Sequence, residues 1–179
     1  DSQPAMLVLN ARVQLARREG GQVARREMPL SQFILGPSRT ALQAREILTA
    51  IDIEPIEGWG TAFEKVGHRR SLAISTVCLA AAVKLDWAKR HVESCRVAIG
   101  AVGPVPERLA QVESMLAGRA PTPQLLREAA QTAADHVRSR SRQDYRREVL
   151  VNFVERALVS ALARGGIEVS RLPKELAHV

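Results

Sequence analysis

Apolar and polar positions change period along this chain. Over Arg12–Glu19, Val13, Leu15 and Ala16 are set against Arg12, Gln14 and Arg17. Gly20-Gly21 follows, then Gln22–Met28 with Val23 and Ala24 among polar residues, a pattern that predicts a β-hairpin turning at the glycine pair. Pro29 opens a short turn through Phe33, and Gly36-Pro37-Ser38 reads as a loop. Ile47–Ile53, ILTAIDI, alternates again and predicts a strand with Ile47, Thr49, Ile51 and Ile53 on one face. Pro55, Gly58 and Gly60 mark a boundary.

Beyond it, Thr61–Val66 predicts a strand, followed by a basic turn at Gly67–Arg70. Ser71–Leu85 carries two signals: Ala80, Ala81 and Ala82 favour helix, whereas Ile74, Thr76 and Val77 favour strand. A second β-rich run, Val92–Val102, follows after the polar loop Asp86–Arg90, so the two runs are assigned as an antiparallel pair. Helical spacing then takes over. Pro106 suits a first-turn proline ahead of Leu109, Val112 and Leu116, and Gly118 ends that helix. Thr122-Pro123 opens a second helix with Leu125, Leu126, Ala129, Ala133 and Val137 on its apolar face. A third starts near Asp144, with a wide stripe that includes Tyr145, Leu150, Phe153 and Leu158, and stops at Gly165-Gly166. The fold class is α+β. A small antiparallel sheet packs with a three-helix bundle over 56–179, preceded by a partial β-rich lobe over 1–55.

Composition narrows the picture. The chain has 179 residues and is 46% hydrophobic but only 3% aromatic, so Leu, Val, Ile and Ala must fill the core. No apolar run reaches the ~18 residues of a membrane span. DSQPAM has no basic n-region and predicts no signal peptide. Cys78 and Cys95 sit in apolar runs and are expected to be buried free thiols of a reducing, cytoplasmic compartment. The histidine and cysteine spacings predict no metal site. The net charge of +7 permits an anionic partner. Its densest source, Arg138–Arg147 with five arginines, contains Asp144 and a single aromatic, which weighs against nucleic-acid binding and for a solvated loop or subunit contact.

One stretch gives the chain a context. Phe63–Arg70, FEKVGHRR, is followed by the two apolar runs, by GPVPER at Gly103–Arg108 and by DYRR at Asp144–Arg147. Earlier come PAMLVLNA at Pro4–Ala11, PLSQFILGP at Pro29–Pro37 and EILTAIDI at Glu46–Ile53. In that order these segments resemble the flavoprotein subunits of molybdenum hydroxylases, the xanthine dehydrogenase and carbon monoxide dehydrogenase family. The resemblance implies that 1–55 is the remnant of an FAD-binding domain and 56–179 the separate C-terminal domain. It implies FAD as cofactor, taking electrons from iron–sulfur clusters and passing them to an external acceptor. It also implies a molybdopterin-binding large subunit and a 2Fe-2S small subunit as partners, with two such heterotrimers forming a dimer.

Three residues carry the implied flavin contacts. Leu48 matches an apolar residue that packs on the ring, Lys65 a lysine at its polar edge, and Ile74 a position beside it. Phe63 is expected in the core. Arg69 and Arg70 keep the family's basic pair, whereas His68 departs from it, and Ala73 stands where many members have an acidic residue. The family's glycine-rich diphosphate loops have no counterpart here, so the chain is expected to be a truncated piece holding only the ring side of the site. The alternatives are a flavin-free assembly module of the same fold and, from the charge alone, a basic nucleic-acid binder.

Overall fold

The computed structural model describes residues 1–67 and 74–166. A short helix, α1 (Gln3–Val8), leads into the hairpin of β1 (Arg12–Glu19) and β2 (Gln22–Pro29). Gly20 and Gly21 both have positive φ, 53° and 88°, the backbone that a tight two-residue hairpin turn needs and that glycine adopts without steric cost. One helical turn, α2 (Leu30–Phe33), and a small hairpin of β3 (Ile34–Gly36) and β4 (Arg39–Thr40) precede β5 (Ile47–Asp52). The first sheet has the order β2-β1-β5, all antiparallel.

The expected face of β5 is corrected. Val13 pairs with Ile51 and Leu15 with Leu48, so a bulge at Thr49 puts Leu48 and Ile51 on one face. Strict alternation across 47–53 fails because the extra residue shifts the pleat by one. The Thr49 hydroxyl donates to the Gln14 carbonyl at 3.1 Å, tying the bulged residue to β1.

The second sheet runs β6 (Trp59–Gly67), β7 (Ser75–Asp86), β8 (His91–Gly100) and β9 (Glu107–Arg108), antiparallel throughout. Both faces of its central strands, β7 and β8, are covered. Val77, Leu79, Ala81, Val83 and Leu85 of β7 face the helical layer, while Ala80 and Ala82 join the core built by α1 and β1. A strand buried on both sides needs apolar residues at every position, which is why its sequence lacks a clear period of two. Ser75–Leu85 is strand, as assigned; 71–73 lie outside the described residues.

The helical layer comprises α3 (Ala110–Leu116), α4 (Pro123–Gln131), a 3-10 turn (Thr132–His136) and α5 (Gln143–Arg164). Thr122 caps α4, its hydroxyl accepting from the Leu125 amide at 3.2 Å. Pro106 does not open α3; Glu107 and Arg108 first extend the sheet as β9, and the helix begins at Ala110. The buried face of α5 is Leu150, Val154, Ala157, Leu158, Ala161 and Leu162. Phe153 is only half-buried at its rim, where the Arg156 guanidinium lies 4.3 Å from the ring centroid. Phe63 is also not core. It is 45% exposed, because its strand partner Ala80 looks toward the N-terminal lobe at the open side of β6. Cys78 and Cys95 are buried and free, and burial pushes both thiols above their ordinary pKa.

Candidate functional site

The unusual surface of this molecule is β5. It is an edge strand, yet Ile47, Leu48, Ile51 and the adjoining Ile53 are 64%, 41%, 40% and 56% exposed. An edge strand with this much exposed apolar surface, its one charge, Asp52, at the far end, is a place where something packs. Its entry is rigid. The Arg26 guanidinium donates from Nε and Nη2 to the two Glu46 carboxylate oxygens at 2.6 and 2.7 Å, and Nη2 also reaches the Ala41 carbonyl at 2.7 Å. The Gln43 amide donates to Glu46 Oε2 at 2.6 Å. Glu46 is buried, and the Arg26 bonds hold its carboxyl at about 2, well below the ordinary glutamate range. Two residues later comes Leu48. Sequence reading missed this clamp, since nothing in the local pattern pairs residues 20 apart.

Lys65 and Ile74 lie toward the same end of the second sheet. Lys65 pairs with Cys78 across β6 and β7, Gly67 pairs with Ser75, and Ile74 immediately precedes β7, 85% exposed. The Lys65 ammonium is bound by the Asp1 carboxylate, which also accepts from the Ser75 hydroxyl. Leu48 comes from the other sheet, and no strand pairing joins β5 to β6 or β7. His68, Arg69, Arg70 and Ala73 lie outside the described residues. Arg146, the first arginine of DYRR, closes this end of the sheet: its Nη1 donates to the carbonyls of Thr76 at 2.5 Å and Ala101 at 2.6 Å. The motif was legible in sequence, but its task was not, because the two carbonyls, at the start of β7 and just past β8, lie far from it along the chain.

These groups suit one part of a flavin and not another. Exposed apolar side chains on a rigid strand suit an aromatic ring, and a lysine at a strand end suits its polar edge. The family resemblance implies that the flavin's own diphosphate rests on glycine-rich backbone amides such as those opening a helix. Among the described residues no glycine does this: Gly20 and Gly21 turn a hairpin, Gly58 precedes β6, and Gly165 and Gly166 follow α5. Gly60 serves packing, since a Cβ there would lie 1.9 Å from the Ala161 carbonyl. No helix among the described residues is long and apolar enough to cross a membrane.

Two family models match different parts of the chain. Residues 62–161 match the family described as the CO dehydrogenase flavoprotein C-terminal domain, and residues 1–55 match the FAD binding domain in molybdopterin dehydrogenase. The nicotinate dehydrogenase FAD-subunit of Eubacterium barkeri is 32% identical over 90% of this chain and 56% of its own length. The carbon monoxide dehydrogenase medium chain of Hydrogenophaga pseudoflava is 30% identical over 80% of this chain and 51% of its own. A solved carbon monoxide dehydrogenase structure from that organism superposes with a TM-score of 0.81 at 26% identity, covering 92% of this chain and 56% of that one. The chain thus spans about half the length of the curated relatives it matches. It belongs to the CO dehydrogenase flavoprotein family of FAD-binding dehydrogenase subunits, with that family's C-terminal domain at residues 62–161 and FAD-binding-domain sequence at residues 1–55.

Proposed function

We propose that this chain supplies the ring side of the FAD site in a flavoprotein subunit that passes electrons from iron–sulfur clusters to an external acceptor. The observation that carries the proposal is the pair of family matches, in order, on the two sheets that bear Leu48 on one side and Lys65 and Ile74 on the other. The partners would be a molybdopterin-binding subunit, where substrate is oxidised, and a 2Fe-2S subunit that relays the electrons.

FAD, when bound, supplies a ring that accepts and releases electrons. The residues here would bind and tune it. Leu48, held by the Glu46–Arg26 clamp, would pack on the ring, with Ile51 extending the apolar surface and Ile74 excluding water beside it. The Lys65 ammonium would face the polar edge, where negative charge grows on reduction, and would favour the reduced form. Asp1 shares that ammonium, which keeps the effect modest.

The test is a redox titration of the native flavoprotein containing this chain. Lys65→Met is expected to lower the flavin midpoint by about 20 mV, roughly 1 kcal/mol for two electrons, with FAD occupancy unchanged. Lys65→Arg should move it less. An unchanged potential in Lys65→Met would remove Lys65 from the site.

A further inference from the structure

The arginine-rich segment ahead of α5 builds a cleft that the flavin reading does not use. A cavity of about 640 Å³ lies between the loop after β8, the segment after the 3-10 turn and the β3–β4 hairpin. Its lining includes Pro37, Gly103 and Pro104 together with Arg138, Arg140 and Arg146. None of the nine lining residues is a carboxylate, so the pocket has positive charge and no internal counter-ion.

The three arginines differ in a useful way. Arg146 is fixed by its bonds to the Thr76 and Ala101 carbonyls, which carry no net charge, and its Nε is buried without a partner. Arg138 is anchored by its backbone, its amide donating to the Val102 carbonyl at 2.8 Å. The side chains of Arg138 and Arg140 are exposed and enter no hydrogen bond or ion pair among the described residues, whereas the nearby Asp144 is taken by Arg147 at 3.0 Å. The Ser139 hydroxyl donates to the Ser141 carbonyl at 3.0 Å, and Gln143 Nε2 donates to the Ser139 carbonyl at 2.8 Å, so the segment carrying the arginines is braced. The 22-residue α5 starts at Gln143 with no side-chain cap, adding the positive end of its dipole.

We propose that this cleft binds a small anion bearing a diphosphate group. Guanidinium groups match phosphate oxygens in geometry and charge, and three of them around one concave space suit two linked phosphates better than one. The volume falls within the range of small-molecule sites. Two sources share this chemistry, a nucleoside diphosphate and free pyrophosphate.

The test is calorimetric titration of the 179-residue chain with pyrophosphate and, separately, with ADP. Saturable one-site binding of pyrophosphate is expected. Arg138→Ala/Arg140→Ala should weaken it about tenfold or more, because two charge-assisted contacts are lost. Arg18→Ala/Arg25→Ala removes the same charge from the β1–β2 hairpin and should change affinity less than about twofold, since exposed distant charges are screened. All four side chains are exposed and enter no hydrogen bond or ion pair among the described residues, so both doubles are expected to fold, and a thermal melt checks this. ADP binding about tenfold tighter than pyrophosphate would identify a nucleotide ligand. ADP binding equally or less tightly would identify free diphosphate. No saturable pyrophosphate binding, or equal weakening in both doubles, would overturn the proposal. So would a cleft that takes polyglutamate but ignores pyrophosphate, which would make it a protein-docking site.

Discussion

Glu46 anchors the chain two residues before Leu48. Its carboxylate receives two bonds from Arg26 and one from the Gln43 amide, and its carboxyl is held at about 2 rather than the ordinary 4.5. Because the folded-state value is the lower one, the unfolded chain binds more protons between pH 4.5 and about 2, and stability must fall as pH falls through that window. Urea unfolding followed against pH should show Glu46→Gln less stable than the parent at pH 7, with the difference vanishing near pH 2. An equal difference at both pH values would mean that the clamp acts through packing and not through charge. At this scale the sequence was legible where a role is local. Thr122 as a cap and Gly20-Gly21 as a turn follow from their neighbours alone. The Arg26–Glu46 clamp, the Arg146 ties to Thr76 and Ala101, and the buried Glu155, whose Oε1 lies 3.5 Å from Arg127, are long-range pairings that no window of sequence contains.

Between elements, the two faces of β7 decide the architecture. Alanines on the N-terminal face of β7 join the core with α1, and Gly100 at the end of β8 lets α1 come close: a Cβ there would lie 3.0 Å from Pro4 Cγ. The same alanines blurred the sequence reading, since Ala80–Ala82 carry high helix propensity, and only the pairing partner Val92–Val102 resolved them as strand. At the other face, α5 presses on β6. Gly60→Ala would place its Cβ 1.9 Å from the Ala161 carbonyl and 2.4 Å from the Gly165 nitrogen, both backbone atoms that cannot rotate away. A loss of about 3 kcal/mol or more is expected in urea unfolding. Stability close to the parent's would show that the end of α5 shifts freely. Helical periodicity located the stripe of α5 but could not tell its centre from its rim. Leu158 is fully buried whereas Phe153 is half covered by Arg156. Leu158→Ala should therefore cost about 2–5 kcal/mol and Phe153→Ala only about 1–2 kcal/mol. The reverse order would mean that the rim, not the centre, carries the packing.

At the scale of the whole molecule, two sheets of different provenance are joined through α1, and each carries part of the candidate site. The bulge at Thr49 could not be read from ILTAIDI, because it depends on the register with β1. The family could be read from its short segments, and the matches over 1–55 and 62–161 show it. The central claim concerns what the chain serves in its native assembly. The most direct measurement is to purify that assembly through a tag on this chain and determine flavin, iron and molybdenum per copy by absorbance and elemental analysis. One FAD per chain, accompanied by iron and molybdenum on co-purifying subunits and reducible by the substrate of the molybdenum subunit, is the expected result. An assembly containing the chain with molybdenum and iron but no flavin would contradict it and leave the chain as a flavin-free assembly module.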